Sequence, residues 1–410
     1  IEENTPLEED VALDPELLGT VFENLLAELD PDEKIAKNAR RNSGSFYTPR
    51  EVIDFMVNDA LVLYLETRAR QMGYHDYIER VKYLVYHEIK DDHDDSFDSF
   101  IVCALDKIRI LDPACGSGAF PMGMLHRITR ILSIVDPDNS KWIKLKLVTV
   151  ESGYRDEFER HLREHYTDYP RKVGILRDSI YGVDIQPLAG HISKLRFFIS
   201  LIVDQKADQN KDNFGISQLP NLETNIICAN SLYDLEPNLD IFQENVVDQL
   251  AEAIEKYYKE DHDDTKKEEW ADLVAKNLSE SYQSFDWGIV KSRTASLKER
   301  WKRWFEYGNI ACPFFNPKTF FPAVMKQGGF DIVIGNPPYG GTSISKDLQS
   351  VLGVGSGDPY GAFIARFMNK PNVVTPLKPG GVLAFIVSDT FMTIKSHRPL
   401  REQILENYVH

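Results

Sequence analysis

The sequence predicts an α/β fold in which a mainly parallel sheet is flanked by helices. Short apolar runs suited to buried strands recur along the chain, at 108–111, 179–183, 225–228, 330–334 and 381–387. Most of these runs are followed by apolar residues at helical spacing, an alternation that is typical of parallel sheets. Polar or glycine-containing turns follow several runs directly, and open α/β sheets bind their ligands at that position.

The composition is that of a globular protein. The chain has 410 residues, of which 42% are hydrophobic and 27% are charged, close to the averages of folded domains. This length predicts one large domain or two to three ordinary ones. No apolar run approaches the roughly 18–20 residues of a membrane span, and no signal peptide opens the chain. We therefore expect no membrane partner.

The cysteines indicate a reducing compartment. The chain has four, at Cys103, Cys115, Cys228 and Cys312, without paired spacing. Zinc sites and disulfide frameworks have paired spacing, so we expect no bound metal, no disulfide and a cytoplasmic location. Because residue 1 is Ile and not Met, we also expect the sequence to be a fragment of a longer protein.

Helices are predicted before the first strand. Asp14 and Pro15 form an N-cap and a first-turn proline, and an apolar stripe at helical spacing follows over 17–29. A second amphipathic helix is expected from about 51 to 70. The acidic run 91–98 is interpreted as a solvated loop.

Two charged stretches interrupt the alternation of strands and helices, at about 134–178 and 236–312. The second carries apolar residues at helical spacing, namely Phe242, Val246, Leu250, Ile254 and Tyr257, and is interpreted as a helical insertion. We predict an N-terminal helical segment over 1–45 and one α/β domain over 46–410 that contains this insertion.

The turn after the first strand predicts a cofactor site. Glycines there let the backbone approach a ligand closely. A dinucleotide site would want a third glycine where Pro121 stands, and the acidic residue that closes the strand disfavours a phosphate. A cationic cofactor such as S-adenosylmethionine fits better. The candidate residues are Asp112, Pro113, Ala114, Gly116, Gly118 and Phe120.

The ends of the next two strands add candidates for the same site. Asp184 closes the second strand, where its carboxylate is suited to two ribose hydroxyls, and Asn230 follows the third, where a cofactor adenine could be hydrogen-bonded. A helix cap and a turn asparagine remain the alternative interpretations of these residues. The helix after Asp184 is expected to begin at Pro187 and to point four apolar residues inward, Leu188, Ile192, Leu195 and Ile199.

The tetrapeptide after the fourth strand predicts a site for a planar amine. Its residues are Asn336, Pro337, Pro338 and Tyr339. Consecutive prolines restrict the backbone and contribute no N–H donors, so the turn presents acceptors, the Asn336 side-chain oxygen and the Pro337 carbonyl. Two acceptors on an adenine amine would favour a pyramidal nitrogen and aim its lone pair at a methyl sulfonium. Tyr339 supplies a ring on which a flipped-out base could stack.

With these motifs in this order, the chain resembles the catalytic module of DNA adenine N6-methyltransferases. The resemblance is to the branch found in single-chain type II restriction–modification enzymes (type IIG) and related phage-defence methylases. It runs from about residue 19 to the end, and further matching segments are 46–49, 358–364 and 379–387. It implies a Rossmann-like S-adenosylmethionine-dependent methyltransferase fold and double-stranded DNA as the partner.

The resemblance also implies roles for individual residues. The segment Phe46, Tyr47, Thr48 and Pro49, with the loop that begins at Asp112, would hold the methionine part of the cofactor. Asp184, with Ile185, would hold its ribose and Asn230 its adenine, although the family commonly has Asp at that position. Asn336, Pro337 and Tyr339 would hold the target base. Family members usually continue into a target-recognition domain, and we expect recognition, and any nuclease, to lie outside these 410 residues.

Three alternative functions stay open. A protein glutamine methyltransferase presents the same amide geometry and can use the same tetrapeptide. An RNA adenine methyltransferase would share the chemistry. The third alternative is a non-catalytic DNA-binding or assembly module, although the intact tetrapeptide argues against a decayed site.

The formal net charge is −17, from 64 acidic and 47 basic residues, which taken alone argues against a nucleic-acid partner. Much of the acidity falls in 91–98 and 236–312, whereas basic residues cluster near 34–50. DNA affinity depends on local positive potential. We therefore expect this chain alone to bind DNA weakly.

Overall fold

The computed structural model describes most of the chain after the predicted N-terminal segment. The described residues are 48–90, 94–148, 168–205, 222, 225–234, 244–259, 264–282, 297–307, 311–339, 343–368 and 375–407. The predicted helical segment 1–45, together with Phe46 and Tyr47, lies outside them.

A five-stranded sheet forms the centre of the fold. Its strands are β1 (Ile110–Asp112), β2 (Ile180–Asp184), β3 (Ile226–Cys228), β4 (Phe330–Gly335) and β5 (Leu377–Phe385). They pair in parallel in the order β3-β2-β1-β4-β5. The predicted α/β fold is therefore confirmed, with each strand near its predicted position. The strand order reverses between β1 and β4, the point at which open α/β sheets form their ligand crevice.

Helices cover both faces of the sheet. Before β2 they are α1 (Arg50–Gln71), α2 (Tyr77–His87), α3 (Asp95–Lys107), α4 (Ala119–Val135), α5 (Ser140–Val148) and α6 (Tyr169–Asp178). Between β2 and β4 they are α7 (Pro187–Val203), α8 (Glu244–Lys259), α9 (Asp264–Ser281), α10 (Leu297–Tyr307), α11 (Pro317–Phe320) and α12 (Pro322–Lys326). After β4 they are α13 (Lys346–Leu352), α14 (Pro359–Phe367), α15 (Thr390–Thr393) and α16 (Arg398–Asn407), with a 3-10 turn at Lys395–His397. Helix α1 confirms the helix predicted over 51–70.

The pleat of the strands divides the core in two. Successive side chains of a strand point to opposite faces, so Ile110 and Ile332 pack with helices α1–α7. Their neighbours Leu111 and Val333 pack with α8–α12 and α14. A third apolar cluster joins α13, α14, α15 and α16. None of the described helices combines the length and apolar character that a membrane crossing requires.

The stretch predicted as an insertion forms helices α8, α9 and α10 in its described part. These helices bury large aromatic side chains in the second half of the core, among them Trp301, Trp304 and Tyr282. The indole nitrogen of Trp304 donates to the Cys228 carbonyl at 2.8 Å, at the end of β3. The helical character is confirmed, and the insertion supplies much of one face of the core.

Two predictions about local structure were wrong. The acidic run was expected to be a loop, but residues 95–98 begin α3 and Asp94 is its N-cap, accepting from the backbone of Ser96 and Phe97. Carboxylates are stable there because the first amides of a helix lack partners. Arg80 pairs with Asp94 at 2.7 Å and holds the pKa of its carboxyl below the usual range.

The inner face of α7 was also predicted wrongly. Leu188 and Leu195 are 46% and 39% exposed, and only Ile192 of the predicted set is fully buried. The buried face of α7 carries Ile192, Phe197 and Leu201 and also the polar residues Ser193 and Arg196. Both polar side chains are buried against the loop between β1 and α4, to whose backbone carbonyls they donate hydrogen bonds.

Candidate functional site

Most of the predicted site residues that the structure describes gather at the carboxyl ends of the strands. Asp112 closes β1, and its side chain is buried. The amide of Ala114 donates to Asp112 Oδ1 at 3.1 Å. A Cβ atom at Gly335, the last residue of β4, would lie 2.6 Å from the same oxygen. Glycine at that position therefore lets the ends of β1 and β4 approach each other.

The loop between β1 and α4 has a backbone geometry that favours glycine. Gly116 and Gly118 have φ values of 53° and 86°, in the left-handed region. A Cβ atom at Gly118 would lie 2.7 Å from Ser193 Oγ. Ser193 Oγ donates to the Gly116 carbonyl at 2.9 Å, and buried Arg196 donates to the Ser117 carbonyl at 2.9 Å. Helix α7 thus positions this glycine loop.

Asp184 joins the glycine loop to the end of β2. Its Oδ2 accepts from the Gly116 amide at 2.8 Å, and its Oδ1 accepts from the Gln186 amide at 2.8 Å. The carboxylate is half-buried, and the next residue, Ile185, has 54% of its surface exposed. A carboxylate oxygen accepts more than one hydrogen bond, so each oxygen keeps acceptor capacity.

Asp112 and Asp184 place two carboxyl groups at the ends of the neighbouring strands β1 and β2. Burial raises the pKa of the Asp112 carboxyl well above its usual range, and the negative charge of Asp184 raises it further. Burial also raises the pKa of Asp184. Among the described residues, no Lys, Arg or His pairs with either carboxyl. A bound cation would relieve the cost of ionising them.

The turn after β3 uses the side chain of Asn230 in its own structure. Asn230 Oδ1 accepts from the Leu232 amide at 3.2 Å, and its backbone amide donates to the Cys312 carbonyl at 2.8 Å. The hydroxyl of the next residue, Ser231, donates to the Pro113 carbonyl at 2.5 Å. The contacts of Asn230 are therefore those of a turn asparagine, the alternative interpretation of this residue. The hydrogen bond from Ser231 to Pro113 places this turn beside the glycine loop.

Asn336 presents a buried acceptor at the end of β4. Its Nδ2 donates to Thr48 Oγ1 at 3.1 Å, and Thr48 is 7% exposed. Its Oδ1 is buried, and within the part of the chain that the structure describes it accepts no hydrogen bond. Buried acceptors are rarely left unpaired, because the loss of their hydration is costly. Pro337 and Pro338 follow and contribute no N–H donor.

Tyr339, three residues after Asn336, is half-buried. It packs against the third apolar cluster, where Leu348, Tyr360, Phe391 and Leu400 are buried. The amide of Ile386 donates to the Gly335 carbonyl at 3.1 Å, which ties the end of β5 to the start of the tetrapeptide. The third apolar cluster thus contacts the tetrapeptide at Tyr339, and the end of β5 is bonded to Gly335, the residue that precedes Asn336.

Other predicted site residues lie apart from this edge or outside the described residues. Phe120 is 2% exposed, and its side chain is part of the apolar core under α4. Pro49 is exposed and begins α1, its carbonyl accepting from the amides of Val52 and Ile53. Within the described ranges, no group of three His, Cys, Asp or Glu residues could hold a metal ion.

Three positioning residues were missed by sequence reasoning: Gly335, Ser193 and Arg196. A signal for two of them was present, because Ser193 and Arg196 stand three residues apart and each has an apolar neighbour in the helix, Ile192 and Phe197. Polar residues at that spacing share one helix face. Gly335 carried no signal, since its role depends on Asp112, which lies on another strand.

The chain is similar in sequence to proteins of restriction-modification systems. A sequence profile of the Eco57I restriction-modification methylase family matches residues 178–409, more than half of the chain. A protein of Methanocaldococcus jannaschii, named as a type II restriction enzyme and methyltransferase, is 25% identical over 457 residues. That match covers 97% of this chain and 35% of the relative, so the chain spans about a third of the relative's length.

Proposed function

Because this chain belongs to the Eco57I restriction-modification methylase family, we propose that it methylates the N6 amine of adenine in double-stranded DNA, with S-adenosylmethionine as donor. The observation that carries the proposal is the buried Oδ1 of Asn336 at the strand-order reversal, which has no hydrogen-bond partner among the described residues. An amine that donates to this oxygen would supply its missing partner. We assign this activity to the domain predicted over 46–410, including its insertion.

The acidic site supports a cationic cofactor. Asp112 and Asp184 carry raised pKa values and pair with no cation among the described residues, so a positive group bound beside them is favoured. Gly116 and Gly118 would let the backbone approach it, Asp184 would bind ribose hydroxyls, and Asn230 would contact adenine. S-adenosylmethionine supplies an electrophilic methyl group on a positively charged sulfur.

Asn336 and Pro337 would hold the target amine. The amine lone pair of adenine is delocalised into the ring, so the nitrogen is a poor nucleophile. Asn336 Oδ1 and the Pro337 carbonyl would accept its two hydrogens and favour a pyramidal nitrogen whose lone pair is free to react. Catalysis is then mainly alignment and electrostatic stabilisation. As the nitrogen bonds to the methyl group, the sulfur that carried it would keep the bonding electrons. The nitrogen, then positively charged, would lose one of its two original protons to solvent.

Tyr339 would stack on the target base. An adenine inside a duplex cannot reach this edge of the sheet, so it must be flipped out of the helix. Base-aromatic stacking is worth about 1–3 kcal/mol, which offsets part of the cost of unpairing. The ring of Tyr339 packs against the third apolar cluster, and this support limits the freedom that stacking would remove.

The alternatives are decided by the substrate that receives the methyl group. Protein glutamine and RNA adenine share the planar amine, but membership of a restriction-modification methylase family favours DNA. Labelled S-adenosylmethionine would be offered separately with plasmid DNA free of methylated bases, RNA and protein. We expect label in DNA, as N6-methyladenine after digestion to nucleosides and mass spectrometry. Label found only in protein or only in RNA would reject the proposal.

We expect Asn336→Ala to abolish methyl transfer while leaving cofactor binding nearly unchanged. Loss of a preorganised polar group that acts in the transition state typically lowers the rate about 100- to 1,000-fold. Calorimetry with S-adenosylmethionine and initial rates with plasmid DNA measure the two effects. Asn277→Ala is the matched control. Asn277 lies on α9 and is also a buried asparagine, with one amide atom that has no partner in the described part of the chain. Loss of cofactor binding in Asn336→Ala would show that Asn336 belongs to the cofactor site.

The relative is named for both restriction and methyl transfer, and it is about three times as long as this chain. We propose that only the methyl transfer resides in these 410 residues. Base-specific recognition, and any cleavage of DNA, would then belong to further domains. Base contacts made by such domains would select the site that is methylated.

A further inference from the structure

We infer that Thr48 is a positioning residue whose hydroxyl holds the amide of Asn336 in place for methyl transfer. The inference rests on the proposed function, because it assigns a task to Asn336 Oδ1. It gives Thr48 a role different from the cofactor contact that the family resemblance implies. The hydroxyl would act on the reaction only through the Asn336 side chain.

The contact joins two distant parts of the chain. Asn336 Nδ2 donates to Thr48 Oγ1 at 3.1 Å, across a separation of 288 residues. Thr48 is 7% exposed, so water competes little for this hydroxyl. The other atom of the same amide, Oδ1, is buried and has no partner among the described residues. The hydrogen bond thus leaves the acceptor, and not the donor, unpaired.

An asparagine amide has two orientations of similar shape. Rotation by half a turn about its last side-chain bond exchanges Oδ1 with Nδ2. In the exchanged orientation an N–H donor would face the hydrogens of the target amine and repel them. In the observed orientation the Thr48 hydroxyl accepts from Nδ2. Because a hydroxyl can also donate, its role is to hold the amide in place, and the target amine, which offers hydrogens, selects the orientation that turns Oδ1 toward it.

The backbone around Thr48 holds the hydroxyl in place. The next residue, Pro49, is the N-cap of α1, with φ −57° and ψ 145°, and a residue that precedes proline is restricted to extended conformations. Helix α1 packs into the part of the core that contains Ile110 and Ile332, through buried residues that include Val57, Leu61 and Leu65. Thr48 is therefore fixed relative to the sheet, as a positioning residue requires.

Thr48→Val tests the inference, because valine has nearly the shape of threonine but no hydroxyl. We expect about a 10- to 100-fold lower single-turnover rate of methyl transfer into plasmid DNA, the scale of a misaligned reactive group. We expect the Kd for S-adenosylmethionine, measured by calorimetry, to stay within about threefold. Thr48→Ser restores the hydroxyl and is expected to recover most of the rate.

Thr129→Val is the matched control. Thr129 is 5% exposed, lies on α4, and its hydroxyl has no partner among the described residues. We expect it to change neither the rate nor cofactor affinity. Similar circular dichroism spectra for all variants would establish that they are folded.

Two results would overturn the inference. A Thr48→Val variant as fast as the unmodified chain would show that the hydroxyl does not hold the Asn336 amide in place. A cofactor Kd raised tenfold or more would show that Thr48 is a cofactor ligand. Failure of the proposed function is distinguishable, because the unmodified chain itself would then place no methyl group on adenine.

Discussion

At the residue scale, the acidic pair at the ends of β1 and β2 lies where ionisation of a carboxyl group is unfavourable. Asp112 is buried beside Asp184, and no cation among the described residues compensates either charge. Buried uncompensated charge reduces stability unless a ligand supplies the partner. Stability given up at a binding site in this way is a common cost of function.

Asp112→Asn should stabilise the ligand-free protein and weaken cofactor binding. Asparagine keeps an oxygen that can accept from the Ala114 amide, but it carries no charge. We expect the free energy of unfolding to rise by about 0.5–2 kcal/mol, measured by urea denaturation. We expect the Kd for S-adenosylmethionine to rise at least about tenfold, equivalent to ~1.4 kcal/mol.

The pH dependence of the stability difference between Asp112→Asn and the unmodified chain tests whether the charge of Asp112 causes that difference. The pKa of Asp112 is raised in the fold, so the folded state favours the protonated carboxyl. Its contribution to the free energy of unfolding is fully present below the ordinary pKa of an aspartate and is lost as the pH rises through the raised pKa. The stability gained by Asp112→Asn should therefore be largest at neutral pH and shrink on acidification. A gain independent of pH would mean that the charge of Asp112 is not its cause.

At the element scale, the helical insertion contributes to the core and not only to the surface. Trp301 on α10 is fully buried. Its ring centre lies 5.6 Å from those of Tyr282 and Trp304 and 6.3 Å from that of Phe314. Phe314 and Tyr282 belong to the same apolar cluster as strand residue Val333. The insertion and the sheet are thus expected to unfold together.

Trp301→Ala tests this coupling. We expect a loss of about 3–5 kcal/mol in the free energy of unfolding, typical for removal of a large buried aromatic side chain. Trp270→Ala is the control, because Trp270 is half-buried and contacts Lys256 through its ring face. Equal losses in the two variants, measured by denaturation, would contradict a core role for α10.

The outcome of sequence reasoning differed between kinds of element. Strands and helices with strong apolar periodicity lay where they were predicted, since that periodicity is a local property. The inner face of α7 was missed because Ser193 and Arg196 are buried by the glycine loop, a contact that apolar periodicity does not contain. The start of α3 was missed because an acidic run that caps a helix resembles a solvated loop in composition.

At the scale of the whole molecule, the chain and its proposed DNA substrate are both negatively charged. The chain carries −17, whereas DNA attracts positive surfaces. The basic cluster predicted near 34–50 falls largely outside the described residues. DNA affinity would depend on such local positive potential and not on the sum of charges.

We expect this chain alone to bind duplex DNA weakly and in a strongly salt-dependent way. Fluorescence anisotropy with a labelled duplex, between 50 and 200 mM salt, measures both properties. Kd values of about 1–100 μM at physiological salt, typical of non-specific binding, are expected. Nanomolar affinity at physiological salt would contradict the prediction and indicate a specific DNA site within these 410 residues.

By itself the sequence determined the α/β class, the strand positions and the motifs that stand at strand ends. These features could be predicted because strand and turn patterns depend on residues that are close together in the sequence. Only the tertiary structure decided the strand order and the contacts it creates. It brought Gly335 against Asp112 and joined Thr48 to Asn336 across 288 residues. Such contacts arise between segments remote in the chain, and the packing of the whole core, not a local pattern, selects them.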